Sequence, residues 1–324
     1  MSEHKDNQLQ QVLSLLADGE FHSGQGIAEH LSVSRAYIWK LMQQLQELGL
    51  DIESVTRKGY RLAKPLSLLD HEALNRDTNF DCQVLLTTDS TNQQLKGQNF
   101  AHHKVVTAEY QSAGRGRRGR QWVSPLASNL YWSLGWQTHM PVQQLGGLSL
   151  VVGLAVANAL TKLDIQGIEL KWPNDIRYHG KKVGGILIEL SGDAVGGLQV
   201  IIGVGLNIDM HPQAAQAIEQ QWCNVNDIFE QQALPKKSRQ QILIACLTEL
   251  ENYLQTFEAY GFAGFLDEWQ QKDECMDKKV VILQADKDIK GIGAGVDATG
   301  AFLLQTGKGI KPIYAGEVSL RLRE

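Results

Sequence analysis

Four arginines fall within the seven residues Gly114-Arg115-Gly116-Arg117-Arg118-Gly119-Arg120, and Gln121-Trp122 follows them. Guanidinium groups this close repel one another and cannot be buried without anions, so the loop should be mobile until something negative arrives. Glycine lets backbone N–H groups close around phosphate oxygens, and arginine forks give bidentate contacts to phosphate or carboxylate. Trp122 beside them could stack on a base. The stretch also fits GxGxxG, but a dinucleotide site fails on context. Gln121-Trp122-Val123-Ser124-Pro125 opens a helix poorly, and no Asp or Glu stands about 20 residues further on to hold a ribose. The chain has no GxxxxGK[ST]. Polyphosphate binding in an active site is the favoured reading, against a solvated surface loop or an RNA-binding arginine patch.

Further groupings point the same way. Asp89-Ser90-Thr91-Asn92 clusters small polar groups suited to the polar head of a ligand. Lys171-Trp172-Pro173-Asn174-Asp175 places two hydrogen-bonding residues behind a rigid proline, and Lys182-Val183-Gly184-Gly185-Ile186 brings a lysine to a glycine-opened strand. Gly203-Val204-Gly205-Leu206-Asn207 would also serve as a buried strand with close packing. Taken singly, each of these is explained by a turn, a hairpin or a strand. Their succession on one stretch of chain is what suggests a site.

The elements that must position them divide into three blocks, 1–64, 65–272 and 273–324, with the first boundary at Lys64–Pro65. In the central block strands are expected at Val84–Thr88, Val105–Tyr110, Asn129–Trp136, Glu169–Lys171, Gly185–Glu189 and Gln199–Leu206. A single long helix, about Val142–Leu163, is apolar nearly all round and so buried. Strands that follow one another without a helix between each pair give an α+β fold with a largely antiparallel sheet. Helices resume at about Lys237–Glu258 and Phe262–Gln271. Val280–Gln284, Lys290–Asp297, Ala301–Gln305 and Val318–Arg321, with a turn at Asp297–Gly300, read as a small barrel.

The first block fits short helices at Gln10–Leu16 and Gly26–Leu31 and a third from Arg35 to about Leu48, capped by Ser34 and ended by Gly49. Two helices joined by Ser32–Ser34 make the helix-turn-helix pattern. Asp51–Thr56 and Tyr60–Ala63, around Arg57-Lys58-Gly59, make a wing. This block holds seven Lys/Arg against eight Asp/Glu, so its bulk charge does not favour DNA. The cations are nevertheless placed for phosphates, with Arg35 and Lys40 on the third helix and Arg57, Lys58 and Arg61 in the wing. Tyr37 and Trp39 are bulky for a helix entering a groove, unless they face the core. A protein-binding or merely packed helical domain is the alternative.

Composition sets the outer bounds. A chain of 324 residues suggests two or three domains, and 43% hydrophobic with 21% charged residues is a globular composition. The net charge of −5 excludes a global basic field. Cys82, Cys223, Cys246 and Cys275 form no CxxC, which argues against a structural zinc site or a disulfide framework. The polar start lacks the apolar core of a signal peptide, and Leu148–Leu160 falls short of the roughly 18 residues that span a bilayer. The expectation is a cytoplasmic protein with no membrane partner.

The order DSTN, EYQSAGRGRRGRQW, KWPND, GKKVGGILIEL and GVGLN closely resembles the biotin protein ligases, over nearly the whole chain. With the helix-turn-helix it is similar to the bifunctional bacterial form, a ligase that also represses biotin genes. The resemblance implies a class II synthetase-like central sheet and an SH3-like C-terminal barrel. It implies ATP and Mg²⁺ as reactants and cofactor, biotin as substrate and biotinyl-5'-AMP as intermediate and corepressor. The partners it implies are the biotin carboxyl carrier protein of acetyl-CoA carboxylase, operator DNA and a second copy of the chain. By this similarity Ser90, Thr91, Asn92 and Gln111 hold biotin, with Arg115, Gly116 and Arg117 closing over it. Lys182 reaches the carboxyl or phosphate region. Arg117, Arg118, Arg120, Trp122, Asn174, Lys182 and Asn207 lie at the nucleotide, while Ser34, Arg35, Tyr37, Lys40, Arg57 and Lys58 face DNA. Departures from this reading would be a ligase whose first block no longer regulates, a lipoate ligase, or a ligand-sensing regulator without turnover.

The chemistry fits that division. Biotin's carboxylate is ionised at pH 7, so adenylation needs no base; it needs cations to bring two anions together, and Arg117 and Lys182 are the candidates. An acceptor lysine of pKa ~10.4 is mostly protonated at pH 7, at a cost of about 4.6 kcal/mol for the neutral amine. Asp175, oriented by Asn174, is the nearest candidate to take that proton. A loop ordered by the adenylate would be a two-state element able to complete a dimer surface.

Overall fold

The computed structural model describes residues 2–191, 197–284, 288–315 and 319–322, and the backbone alone of residues 2–6 and 319. The chain begins with α1 (Ser2–Leu16), α2 (Gly24–His30) and α3 (Arg35–Glu47), then the hairpin β1 (Ile52–Val55) and β2 (Gly59–Leu62). Two serine caps start α2 and α3. Ser23 Oγ accepts from Gly26 N at 2.9 Å and Ser34 Oγ from Tyr37 N at 3.2 Å, each satisfying a backbone donor that the helix itself leaves over. Gly49 follows α3 at φ +95°, as a helix-ending glycine does. Leu13, Leu16, Ile38, Leu41 and Leu45 are fully buried in the core of this segment. Gly59, at φ +105°, lets the wing close on the chain before α2. A Cβ there would stand 2.0 Å from the His22 carbonyl oxygen, and His22 and Tyr60 exchange two backbone hydrogen bonds of 2.9 Å. The first helix runs eight residues further back than its apolar spacing predicts.

The central part contains α4 (His71–Asp77), β3 (Asp81–Thr88), α5 (Thr91–Gln94), β4 (Lys104–Gln111), β5 (Leu130–Thr138), α6 (Leu148–Lys162), β6 (Ile168–Lys171), β7 (Asp175–Tyr178), β8 (Lys181–Ser191), β9 (Leu198–Leu206), α7 (Val225–Gln231), α8 (Arg239–Tyr260) and α9 (Leu266–Lys272). Its seven strands run β3-β4-β5-β9-β8-β7-β6, with β3 and β4 parallel and every other pair antiparallel. The sheet is thus mixed, on an α+β plan. One face is covered by α6 and α8. A 3₁₀ stretch, Val142–Gly147, precedes α6, and together they make 21 residues, long and apolar enough to cross a membrane. The helix expected at about Val142–Leu163 is thus a 3₁₀ stretch followed by α6, and it is longer than the Leu148–Leu160 run that fell short of a membrane span. Most of the stretch is buried inside the protein, as the core helix of a layered fold must be.

The C-terminal sheet holds β10 (Lys279–Leu283), β11 (Ile289–Val296), β12 (Phe302–Thr306), β13 (Gly309–Ile313) and β14 (Ser319–Leu322), antiparallel in the order β13-β12-β11-β10-β14. Of the strand expected at Val318–Arg321, Val318 lies outside the described residues and the rest falls within β14. Asp297 accepts from Gly300 N at 2.9 Å in the expected turn, and Gly300 O accepts from Trp172 Nε1 at 3.1 Å, tying the turn to the central sheet. All four cysteines are free and buried, and burial pushes their thiols up, Cys223 to about 11.

The three blocks do not separate cleanly. Leu66 N donates to Ala17 O at 2.9 Å across the first boundary, and Leu66 and Leu68 pack on the core of the winged segment together with buried Leu86, Leu126 and Ala127. Arg239, the first residue of α8, clamps the connecting stretch. Its guanidinium donates to Ser67 O at 2.6 Å, Asn129 O at 2.9 Å and Glu109 Oε2 at 2.6 Å. Glu109 Oε1 accepts from Leu69 N at 2.7 Å, and both charged residues are almost fully buried. Removing one partner of such a pair strands the other charge in the interior. Arg239→Ala should therefore lower stability by about 3–5 kcal/mol in urea unfolding, while Arg76→Ala, which breaks an exposed pair with Asp77, should leave the midpoint unchanged.

Candidate active site

The face of the sheet away from α6 and α8 is largely stripped of side chains where β5, β9 and β8 meet. Residues paired across strands share a face, so two rows can be read from the register. Tyr131, Gly205, Gly185 and Asp175 form one, and Ser133, Gly203 and Leu187 the next. The glycines make two seats. A Cβ on Gly205 would stand 2.5 Å from the Trp122 indole, and one on Gly203 would stand 2.1 Å from Asn92 Oδ1. Trp122 and Asn92 therefore rest directly on backbone. Above this floor lies a cleft of about 1350 Å³.

One part of the cleft is polar and small. Thr91 N donates to Gln111 Oε1 at 3.0 Å, and Gln111 Nε2 donates to Ser124 Oγ at 2.9 Å. Ser133 Oγ lies 2.8 Å from Thr91 Oγ1 and 2.5 Å from Asn92 Oδ1. Ser90 is buried, lines the cleft and, among the described residues, its hydroxyl neither caps α5 nor meets another partner. The hydroxyl oxygen is not sealed off and is open to a ligand in the cleft.

Cations gather at the other part. The loop after Gln111 is pinned by Gly116 N to Arg120 O at 2.7 Å and by Trp122 N to Gly114 O at 2.8 Å. Its arginines, expected to be mobile without a ligand, are partnered within the chain. Arg115 forks onto Glu189, at 2.9 and 3.3 Å. Arg117 donates to Asn174 Oδ1 at 3.3 Å and to Ala315 O at 2.8 Å, joining the loop to the C-terminal sheet. Lys182 Nζ is 2.6 Å from Asp175 Oδ1 and 5.4 Å from the centre of the Trp122 ring. A register shift between β7 and β8 at Ile176/Arg177 lies beside Lys182, a bulge of the kind that re-aims a side chain. Burial, with Arg177 nearby, holds the Lys171 ammonium below its usual range. Partial burial opposes the charge on Glu189, but Lys96, Asn92 and Arg115 outweigh it and keep the carboxyl below its usual range.

Every residue expected to bind a small ligand lines this one cleft: Ser90, Thr91, Asn92, Gln111, Arg115, Gly116, Arg117, Arg118, Arg120, Trp122, Asn174, Asp175, Lys182 and Asn207. Asn174 sits in the turn between β6 and β7, where its Nδ2 donates to Ile186 O at 2.9 Å. Asn207 Nδ2 donates to Lys182 O at 3.3 Å. Lys171, Lys279 and Arg321 add cations that were not anticipated, the last two from the C-terminal sheet. Glu189 and Ser133 were also missed. The signal for both was a polar residue flanked by apolar ones within a strand, Ile188-Glu189-Leu190 and Trp132-Ser133-Leu134. In the winged segment Ser34, Arg35, Lys40, Arg57 and Lys58 are exposed, while Tyr37 is half-buried against the core and Trp39 is exposed.

Among the described residues no three His, Cys, Asp or Glu side chains come together as a metal cluster. A magnesium ion commonly arrives on substrate phosphates, keeps several waters and takes only one or two protein carboxylates, which Asp175 and Glu219 in the cleft lining fit.

The sequence matches the Biotin/lipoate A/B protein ligase family over residues 83–207, an HTH domain over 8–61 and a Biotin protein ligase C terminal domain over 277–321. It is 39% identical to the bifunctional ligase/repressor BirA of Salmonella typhimurium, covering 97% of both chains, and 38% identical to that of Escherichia coli, covering 99% of both. A biotin protein ligase from Aquifex aeolicus, solved in complex with biotin and ATP, superposes with a TM-score of 0.65 at 31% identity, covering 75% of this chain and 99% of that one.

The glycine floor gives a direct test. Gly205→Val should expel the Trp122 indole, so that the fluorescence lost on Trp122→Phe moves to the red and becomes quenchable by acrylamide. Gly307→Val, where a Cβ meets nothing within 4 Å, should change neither property.

Proposed function

The chain belongs to the biotin protein ligase family, in its ligase/repressor form, and from that premise we propose how its residues divide the work. It is an ATP-dependent biotin ligase that forms biotinyl-5'-AMP and passes biotin to a lysine of the biotin carboxyl carrier protein, and it represses biotin genes through its helix-turn-helix. For these roles we take 1–64 as the DNA-binding part, 65–272 as the catalytic part and 273–324 as the C-terminal part, all working in the cytoplasm. The observation that carries the assignment is the single cleft in which a polar pocket around Ser90, Thr91 and Gln111 opens beside Arg117 and Lys182.

Biotin's ureido head belongs in the polar pocket, where the Ser90 hydroxyl is open to it, and Arg115 and Gly116 lie over it. The adenine belongs with Trp122, with Asn207, Arg118 and Arg120 on the nucleotide side. In the first step a carboxylate oxygen of biotin attacks the α-phosphorus, the bond to the bridging oxygen breaks and pyrophosphate leaves. Both reactants are anions, so the barrier is electrostatic. Arg117 and Lys182 supply fixed positive charge where the two meet, and Asn174 orients Arg117. Magnesium, held on the phosphates, would neutralise charge on the leaving pyrophosphate.

In the second step the acceptor amine attacks the acyl carbon and AMP leaves. Lys182 is paired with Asp175 in the ligand-free cleft. Once Lys182 turns to the phosphate, the Asp175 carboxylate is released to take the proton of the incoming ammonium. Biotin-dependent exchange of pyrophosphate into ATP tests the first step. Arg117→Ala and Lys182→Ala should each lower kcat by about 10²–10³ in that assay. Lipoate in place of biotin should give no exchange.

For regulation, α3 presents Ser34, Arg35 and Lys40 and the wing presents Arg57 and Lys58, all exposed, as phosphate and groove contacts. Two copies joined while biotinyl-5'-AMP is bound would fit a palindromic operator. Fluorescence anisotropy on the biotin-gene promoter should show tight, salt-sensitive binding only with biotin and Mg-ATP, and Arg57→Ala with Lys58→Ala should weaken it and flatten its salt dependence. Binding in neither state, with carrier protein still biotinylated, would reduce the winged segment to a structural part.

A further inference from the structure

Glu189 stands on β8 on the same face as Gly185 and Leu187, at the edge of the glycine floor. It is the meeting point of three elements. Its oxygens accept from Asn92 Nδ2 at 2.8 Å and Lys96 Nζ at 2.8 Å, beside α5, and from Arg115 at 2.9 and 3.3 Å, on the arginine loop. Resting on the ligand reading given above, we propose that Glu189 is a positioning residue that sets the hydrogen-bond polarity of the biotin-head pocket and docks the arginine loop beside it.

The polarity follows from what each atom can do. A carboxylate accepts only, so the Asn92 side chain must turn its NH₂ to Glu189, which leaves Oδ1 facing Ser133. Oδ1 also accepts only, and it claims the one proton of the Ser133 hydroxyl across the 2.5 Å contact. The Thr91 hydroxyl then has two acceptors for its one proton, Ser133 Oγ at 2.8 Å and Gln111 Oε1 at 3.3 Å, and spends it on one of them. Gln111 Oε1 also accepts from Thr91 N at 3.0 Å. Thr91 Oγ1 is left with lone pairs and no proton to offer, which makes it an acceptor for an N–H of the ligand. A ureido ring has two such N–H groups. The anion at the end of the relay holds this direction at 2.8 Å, where the Leu187 carbonyl offers Asn92 Nδ2 only a 3.5 Å contact, and a neutral amide at position 189 could turn either end towards Asn92.

The same carboxylate supplies the anion that Arg115 requires. Asn92 and the first loop arginine are placed together by one side chain, which sets the loop next to α5. Lys96, on the outer side, supplies a second cation that keeps the carboxylate ionised.

Glu189→Gln keeps the shape and removes the charge. In pyrophosphate exchange it should raise KM for biotin about 10–100-fold, the size of one or two well-placed hydrogen bonds, and leave KM for ATP within about twofold. In the ligand-free full-length protein, trypsin should cut within Arg115–Arg120 at least about fivefold faster, with the thermal midpoint unchanged. Glu189→Asp should recover part of both effects. An unchanged KM for biotin together with unchanged loop cleavage would overturn the proposal. The cleavage measurement needs no turnover, so a wild-type protein lacking exchange would sink the ligase reading and leave loop docking by Glu189 still decided by trypsin.

Discussion

The site depends on an absence of side chains. Three glycines, Gly185, Gly203 and Gly205, occupy neighbouring positions on β8 and β9, and the antiparallel register brings them to one face. Any Cβ on Gly203 or Gly205 would enter a van der Waals sphere of Asn92 or Trp122. Glycine in a strand interior weakens the strand, by entropy and lost packing. The cost is met on the other face, where Val200, Ile202, Val204 and Ile186 pack on α6 and α8. One face of the same strands is a core and the other is a binding floor. The alternation of the pleat allows both.

On that floor the chain gathers positive charge, and three of the cations there have partners within the chain. Asp175 holds Lys182, Glu189 holds Arg115, and Asn174 with the Ala315 carbonyl holds Arg117. Arg115 faces a carboxylate in bidentate geometry, which is a strong partner, so the loop is fixed beside the polar pocket at its Arg115 end.

The sequence made much of this legible, and the failures have physical causes. Caps and helix-ending glycine located α3 because those signals are local, and the strands at the sheet centre were found because they are long and apolar. β7 and β13 were missed. β7 alternates buried Ile176 and Tyr178 with the polar Asp175 and Arg177 over only four residues, and β13 is an edge strand exposed along most of its length. The short helices α4, α5 and α7 are too brief for periodicity to show. The loop arginines were read as lacking anions because Glu189 lies 74 residues away from Arg115 in sequence, and only the β8–β9 register brings it close. The residues that line the cleft were named from motif and resemblance, and their succession along the chain, not any one of them, pointed to a site. Their order within the cleft belongs to the fold.

The first boundary shows how far a division into blocks can be taken. Lys64 and Pro65 are exposed, as a boundary should be, yet the hydrophobic cluster of the winged segment includes Leu86 from β3 and Leu126 and Ala127 from the stretch that follows the arginine loop. Ser124, two residues before Leu126, accepts from Gln111 in the polar pocket, and Trp122 lies on the glycine floor. Residues 122–127 therefore have one end in the cleft and the other in the core of the winged segment. Ala127, at φ +53°, turns the chain between them, with Ala127 N bonded to Glu109 O at 3.0 Å. Glu109 is in turn the partner of Arg239, which holds Ser67. The winged segment is consequently fixed to the catalytic sheet twice, through the buried ion pair at its exit and through the far end of the ligand loop. Along residues 122–127, Ser124 and Ala127 are both held by hydrogen bonds to β4.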